Sequence, residues 1–541
     1  MNFQSSSKPD QSAPRAAELL WGGWPGGFLS AVVLVFCFPV FHQFILWPLA
    51  WVALIPLLLY LSRGGCRRGL IQVGVFGFPF MVGVLAWVYY MGIAPWLLLA
   101  ATQAGYVGLF TLTAAIIAPL WRPGLGVRSE RPRPWRVHVA AVTLFPCAWI
   151  FMEWTRTLGR LSIPWGFLSS TQIHLHPLVE TARWWGAYGV SFMIVMINSA
   201  IANWILSTGR DRGRAAWTFG AAAVIVVAAS ILAVVTFQPR PVRPLKAALI
   251  QGDIYKDNPS NPAYREHVMG TYTDMSRTAA EHQPNVIVWP ETVVPGSFLH
   301  DPELRQEVID VALQTHSYLL VGSPDYPNLY NPWQTPRYNT AFVISPEGVI
   351  LGRYDKQHLV PYGEYVPGRS WLPFLNLYGV PETDLDPGHG HGSISTPLGR
   401  WGIMICYESM FPQIARQTVQ SGANVLFVIT NDQWFGTSSA PYDHAADAAF
   451  RAAETGRWVV QAASTGVSLF ADPSGRLTRQ TRMFTRGIDV REVSEQTGTT
   501  LYTRLGDWPP ILSLPILVFA FILSLVTKIY RPNIGTARRE V

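Results

Sequence analysis

Two regimes of hydrophobic and polar positions alternate along the chain. Residues 26–41, 44–61, 70–90, 95–120, 139–154, 188–206 and 217–237 are apolar segments separated by short loops. Each approaches the ~20 residues that a helix needs to cross a bilayer, the first two and 139–154 being short. An eighth segment, 510–527, stands alone near the C-terminus. Between them the pattern changes. Residues 238–508 are polar overall, with short β-rich runs at 245–251, 286–289, 318–321, 340–344, 402–405, 424–429 and 458–463. Nearly continuous apolar strands separated by helical patterns predict an α/β domain whose sheet is covered on both faces. The expected fold is a polytopic α-helical membrane bundle of about eight helices carrying that α/β domain. The expected divisions are a cytoplasmic tail (1–25), helices one to seven (26–237), an outer domain (238–508), and the last helix with a second tail (509–541).

Composition supports the membrane reading. Of 541 residues, 49% are hydrophobic and only 14% charged, too apolar for an ordinary soluble enzyme of this size. The net charge of +7 would suit a nucleic-acid partner, but the arginines cluster between apolar segments, so none is expected. Arg63, Arg67 and Arg68 fall in one loop, Arg122, Arg128, Arg131, Arg133 and Arg136 in the next on the same side, then Arg210, Arg212 and Arg214. Lys528, Arg531, Arg538 and Arg539 follow in the C-terminal tail, while the alternate loops carry few cations. By the positive-inside rule the N-terminus is cytoplasmic and the 238–508 domain lies outside, in the periplasm of a cell that has one. The polar stretch 1–18 reads as a disordered tail, and the apolar segment after it as a spanning helix. Cys37, Cys66, Cys147 and Cys406 show no pairing or metal spacing.

Reactive groups follow three of the predicted strands. Val288-Trp289-Pro290-Glu291-Thr292 offers a carboxylate, Tyr354-Asp355-Lys356-Gln357-His358 an ammonium, and Ile405-Cys406-Tyr407-Glu408-Ser409 a thiol. Strand ends are where α/β domains assemble sites. Helix 410–418, with Pro412 in its first turn, follows the thiol, so backbone N–H groups and the positive helix end are expected to favour a thiolate there. Carboxylate, ammonium and thiol together suit acyl transfer: nucleophile, proton carrier and oxyanion partner. Glu153, at the end of a membrane segment near Arg156, is a further intramembrane carboxylate of open role. His389 and His391 sit in a Gly-rich stretch with nothing to complete a metal site, so no metal is expected. The aromatics of Ile163-Pro164-Trp165-Gly166-Phe167 suit either a membrane interface or packing on the bundle.

The contexts of Glu291, Lys356 and Cys406 resemble the nitrilase superfamily. The run Lys356-Gln357-His358-Leu359-Val360-Pro361-Tyr362-Gly363-Glu364-Tyr365-Val366-Pro367 is similar to its membrane-bound branch, the apolipoprotein N-acyltransferases of bacterial inner membranes. Asn431-Asp432-Gln433-Trp434-Phe435-Gly436 and Gly506-Asp507-Trp508-Pro509 share that resemblance, which covers nearly the whole chain. It implies an αββα sandwich between the seventh and eighth membrane helices. It also implies ping-pong transfer of a fatty acyl chain from a phospholipid, through a Cys thioester, to the free N-terminal amine of a diacylglyceryl-cysteine lipoprotein. On the same grounds Glu291 is the general base, Lys356 the oxyanion partner and Cys406 the nucleophile. Glu364, Tyr407 and Glu408 support them, and Pro367 and Trp434 line the acyl site. No cofactor is implied, and a monomer is expected. The chain departs from the family pattern where a Trp would follow Gln251-Gly252-Asp253-Ile254, and has Pro441-Tyr442-Asp443-His444 in place of Pro-x-Gln-His. The rivals are a membrane-anchored nitrilase-type amidase hydrolysing small amides, and a non-catalytic scaffold that kept the fold.

Overall fold

The structure, a computed structural model, describes residues 24–38, 46–121, 133–255, 258, 261–331, 333, 336–369, 383–390 and 392–529. The tail 1–18, Arg122, Arg128, Arg131, His391, Arg531, Arg538 and Arg539 lie outside the described residues. The predicted apolar segments are largely helical where described. Among the described residues, five helices are long and apolar enough to cross a membrane: Ile93–Leu120, Trp135–Thr155, Ala182–Ile205, Arg210–Thr236 and Trp508–Val526. The first three segments instead give short or interrupted helices. The second is a 3₁₀ turn, Trp47–Trp51, followed by helix Ile55–Leu61. Its irregular backbone is tied internally. Leu54 N donates to Asn198 Oδ1 (2.9 Å), Leu57 N to Ser30 Oγ (3.1 Å), and Asn198 Nδ2 to Ala50 O (2.9 Å). Backbone breaks at bilayer depth persist only with such protein partners. In the third segment a π turn, Val73–Gly77, joins helices Cys66–Gln72 and Phe78–Val84. Pro79 there has no N–H to offer the carbonyl of Val75, and the ladder widens.

Twelve described strands follow: β1 Pro241–Gln251, β2 Val286–Val288, β3 Tyr318–Asp325, β4 Tyr338–Ile344, β5 Ile350–Asp355, β6 Ser393–Thr396, β7 Gly399–Ile405, β8 Val425–Thr430, β9 Val459–Ala463, β10 Leu469–Ala471, β11 Leu477–Gln480 and β12 Gly487–Gln496. They form two six-stranded sheets, ordered β12-β1-β2-β3-β4-β5 and β11-β10-β9-β8-β7-β6. Each has a parallel centre, β1-β2-β3 or β7-β8-β9, and antiparallel edges. Alternation along the strands sorts side chains between layers. Leu249, Val288, Ile403, Ile405 and Phe427 meet between the sheets. Ala248, Ile250, Ile287 and Val321 face helices Pro262–Ala280 and Pro302–Thr315, while Met404, Leu426 and Val428 face helices Pro412–Gln420 and Ala440–Thr455. The result is an αββα sandwich with the parallel strands buried on both faces.

The sandwich docks on the bundle through buried polar contacts. Helix Ala182–Ile205 is kinked at Gly186, whose φ is 68°. A Cβ there would lie 2.6 Å from the ring of Tyr502, so the position needs glycine on both counts. The kink frees Ala187 N to donate to Glu454 Oε1 (2.8 Å), itself held by Arg451 Nη2 (3.0 Å). Trp508 Nε1 donates to Trp184 O (2.8 Å), and Tyr502 to Asp507 (2.6 Å).

Candidate active site

Cys406 occupies the residue after β7, with φ at 54°, a left-handed conformation that costs an L-residue roughly 1–2 kcal/mol. A 3₁₀ turn, Cys406–Met410, separates it from helix Pro412–Gln420. Glu408, fully buried, holds the turn. One oxygen accepts from Ile405 N (2.8 Å). The other accepts from Tyr354 Oη (2.8 Å), Gln357 N (2.8 Å) and His358 N (3.1 Å). Glu408 therefore welds the Cys406 turn to the loop after β5, which carries Lys356.

Lys356 is 1% exposed, with Nζ 2.8 Å from Glu364 Oε1 and 3.4 Å from Glu291 Oε1. Burial opposes its charge, but Glu364 and Glu291 outweigh burial and hold the ammonium well above the ordinary lysine range. Glu291 follows β2. Its Oε2 accepts from Asn431 N (2.7 Å), and its Oε1 from Asn339 Nδ2 (2.7 Å). Gly322 in β3 lets the strands close behind it, since a Cβ there would lie 2.5 Å from Pro290 O. Glu364 accepts from Asn339 Nδ2 (3.3 Å) and Val360 N (2.9 Å).

Glu291, Lys356, Glu364, Cys406 and Tyr407 line one cavity of about 210 Å³. Trp87, Met91 and Trp165 of the bundle form another wall, and Trp434 and Phe435 a third. Trp434 is 59% exposed, whereas Phe435 packs edge-on against Trp87 at 4.8 Å between centroids. Tyr407 donates to Ser162 O (2.6 Å) in the loop after helix Trp135–Thr155. Pro367 is half-buried and is absent from the described cavity wall. His389 is exposed. Trp165 and Phe167 are buried, so their loop packs on the protein.

The surroundings of Cys406 oppose the expected thiolate. Burial pushes the Cys406 thiol well above its ordinary range, Glu291 adds to this, and Lys356 offsets only part. The helix end is kept away by the intervening 3₁₀ turn. Glu291 is a carboxylate whose charge acts on this thiol across the shared cavity.

Several groups of the site had no role assigned from the sequence. Asn339 stands at the start of β4 and bridges Glu291 and Glu364. Its sequence signal is only a polar residue heading an apolar strand. His444, 1% exposed, lies at hydrogen-bond distance from Ser409 Oγ (2.7 Å), Cys406 O (3.1 Å) and Asp432 Oδ1 (3.3 Å). It braces the turn from the helix Ala440–Thr455.

Arg156 braces it from the membrane side. The side chain is 1% exposed, donating from Nε to Gln103 Oε1 (3.0 Å) and from Nη2 to Ile163 O (3.1 Å) and Trp165 O (2.5 Å). Gln103 Nε2 donates to Leu161 O in the same loop (3.3 Å). That loop carries Trp165 into the cavity and receives Tyr407. Glu153 Oε1 accepts from Trp149 Nε1 and Leu168 N, both at 2.8 Å, and pins the loop's far end. Arg156→Lys should lower acyl-transfer rates roughly 10- to 100-fold, because an ammonium cannot reproduce the planar fork. Rates equal to wild type in a folded R156K variant would refute the brace.

His358 Nε2 sits 2.9 Å from Ser162 Oγ, across the same junction. Burial, then the Lys356 ammonium, lower its pKa from 6.5 to about 4. As pH falls below 6.5, the unfolded chain takes the proton first, so stability drains between about 6.5 and 4. The thermal midpoint of wild type should fall across that window, and His358→Gln should flatten the fall.

Comparison with known proteins agrees with this architecture. Residues 246–502 match the family model described as carbon-nitrogen hydrolase, and residues 30–200 the one described as apolipoprotein N-acyltransferase N-terminal domain. The apolipoprotein N-acyltransferase of Geobacter metallireducens is 32% identical over 517 residues, covering 94% of this chain and 95% of that protein. That of Pseudomonas putida is 29% identical over 522 residues, covering 94% and 98%. Among solved structures, a nitrilase-superfamily amidase of Nesterenkonia is 19% identical, with 48% of this chain and 93% of that chain covered and a TM-score of 0.36. With a relative of this identity aligned over nearly its full length, the chain belongs to the apolipoprotein N-acyltransferase family.

Proposed function

We propose that the protein moves a fatty acyl chain from a phospholipid to the N-terminal amine of a diacylglyceryl-cysteine lipoprotein, through a thioester on Cys406. One observation carries this reading. The cavity holding Glu291, Lys356 and Cys406 is walled on another side by Trp87, Met91 and Trp165 of the bundle, so the thiol faces the membrane part of the chain. A lipid ester leaves the bilayer at about 0.8 kcal/mol per exposed CH₂, so its nucleophile must wait at the lipid surface. At about 210 Å³ the cavity is smaller than the ~300–1,000 Å³ of pockets that enclose whole ligands, which suits entry of the ester with its chains left in lipid.

In the first half-reaction Glu291 takes the thiol proton and the sulfur attacks the ester carbonyl carbon. Lys356 and a backbone N–H of the Cys406 turn stabilise the oxyanion. The carbon–oxygen bond breaks, and Glu291 returns the proton to the departing lysophospholipid oxygen. In the second, the neutral amine attacks the thioester, its proton passes to Glu291, and the thiolate leaves and is reprotonated. Glu364 and Asn339 fix Lys356 and Glu291, Glu408 and Tyr407 fix the turn, and Trp434 guards the mouth. Pro367 is left with no part at the cavity.

Residues 26–237 and 509–541 are assigned to the membrane bundle with its C-terminal tail, and 238–508 to a periplasmic catalytic domain of an inner-membrane protein. The arginine-rich loops support this. Arg133 pairs with Asp211 at 2.8 Å, so two of them meet, while Ser162 of an alternate loop and Trp184 at the start of helix Ala182–Ile205 touch the sandwich or its junction with the last helix. One chain supplies every group, which suits a monomer.

The test supplies purified protein with phospholipid and a diacylglyceryl-cysteine peptide. Equal amounts of N-acylated peptide and lysophospholipid, with parallel double-reciprocal lines, are expected. Ammonia release from small amides without N-acyl product would instead establish the amidase.

A further inference from the structure

The charges on the cavity wall do not balance at the catalytic centre. Lys356 faces two carboxylates, Glu291 and Glu364, so these three groups sum to one negative charge when Glu291 is ready to act as base. The other described lysine or arginine on the wall is Arg337. Its guanidinium makes no ion pair among the described residues. Nη1 donates to the Thr383 hydroxyl, and the group lies 4.9 Å from the centroid of the Trp333 ring. Nε is buried without a partner.

Neither nearby carboxylate forms an ion pair with the guanidinium, although the charge of Asp386 reaches it. Asp386 accepts from the main-chain N of Arg337 (2.9 Å), and Asp384 pairs with Arg369 (2.7 Å). His444, also on the wall, is occupied by protein atoms at both ring nitrogens. Arg337 thus keeps donors for a ligand at a cavity whose reacting end repels anions.

We propose that Arg337 holds the phosphodiester of the donor phospholipid while its ester meets Cys406. This rests on the reading above that a phospholipid is the donor. A guanidinium fork matches two phosphate oxygens, and the Trp333 face and Thr383 hydroxyl hold that fork in place. The positive group offsets the repulsion between the phosphate and the net-negative catalytic trio. After transfer, the lysophospholipid still carries the phosphate, whereas the diacylglyceryl acceptor has none. Arg337 is therefore a binding residue for the first half-reaction alone.

The experiment measures the rate of acyl adduct formation on the full-length protein in detergent micelles, with dipalmitoyl phosphatidylglycerol or dipalmitoylglycerol as donor. Both present the same esters, and one lacks the phosphate. Wild type should favour the phosphatidyl donor. Arg337→Ala should slow that donor about 10- to 100-fold at subsaturating concentration while leaving dipalmitoylglycerol unchanged. Arg337→Lys, keeping charge without the fork, should recover part of the loss. Equal loss with both donors, or no loss with either, overturns the assignment while sparing the acyltransfer reading. Absence of any adduct on wild type from either donor overturns both.

Discussion

Cys406→Ala is expected to reduce N-acylation by roughly 10⁴-fold or more, to background, with the fold intact. Alanine keeps the Cβ, so the left-handed turn at φ 54° is unchanged and the substitution removes one sulfur. The anchors of the turn do not involve that atom. They are Glu408 to Ile405 N at 2.8 Å, His444 near Cys406 O at 3.1 Å, and Tyr407 to Ser162 O at 2.6 Å. The Lys356–Glu364 pair at 2.8 Å also stands without it. What disappears is the only thiol on the cavity wall among the described residues. The remaining donors would stabilise an oxyanion that nothing forms. The melting temperature should stay within a few degrees of wild type. Substantial N-acylation by this variant would mean that the acyl chain passes directly from donor to acceptor.

Glu291→Gln should lower the rate at neutral pH by roughly 10²- to 10⁴-fold, the usual worth of a positioned base. The amide fits the space but not the hydrogen bonds. Both oxygens of Glu291 receive N–H donors, from Asn339 Nδ2 and Asn431 N, each at 2.7 Å. An amide NH₂ must face either the Asn431 N–H or the Lys356 ammonium, donor to donor, so stability should also fall by about 1–3 kcal/mol. The pH profile separates the two effects. Burial, the leading cause that holds the Cys406 thiol above its ordinary range, persists in the variant although the Glu291 charge is lost. With the base gone, the residual rate must come from the small thiolate fraction, which grows about tenfold per pH unit below the thiol's pKa. The variant's rate should therefore climb through pH 9. A variant that merely lost stability would keep the wild-type profile at reduced amplitude.

Much of the fold was legible because bilayer and sheet core both demand continuous apolar runs. All seven strands read from the sequence carry fully buried residues, such as Ile287 in β2 and Val428 in β8. The strands that escaped, β5, β6, β10, β11 and β12, are short or lie at or near sheet edges. Gly487–Gln496 alternates charges with apolar residues and pairs on one side only, with β1, so its sequence resembles a surface loop. The interrupted second and third membrane segments were hidden for the opposite reason. Their composition is apolar throughout, and the breaks depend on partners such as Asn198 and Ser30 far along the chain.

The site divides the same way. Glu291, Lys356 and Cys406 stand in local contexts that announce them, directly after strands. Asn339, Asn431, Arg156 and His444 act on groups between 38 and 140 residues away or through a neighbouring loop, so even where a motif marked Asn431 and His444 their contacts were not readable from local sequence. The charge state of Cys406 was misread because a strand-to-helix junction suggests a helix dipole. The 3₁₀ turn and burial oppose that effect.

The most direct measurement of the central claim is mass spectrometry of the intact protein after incubation with phospholipid and no acceptor. A mass increase of one fatty acyl group, mapped to Cys406 and discharged on adding a diacylglyceryl-cysteine peptide, is the result expected. An unmodified Cys406 under conditions that still yield N-acylated peptide would contradict it.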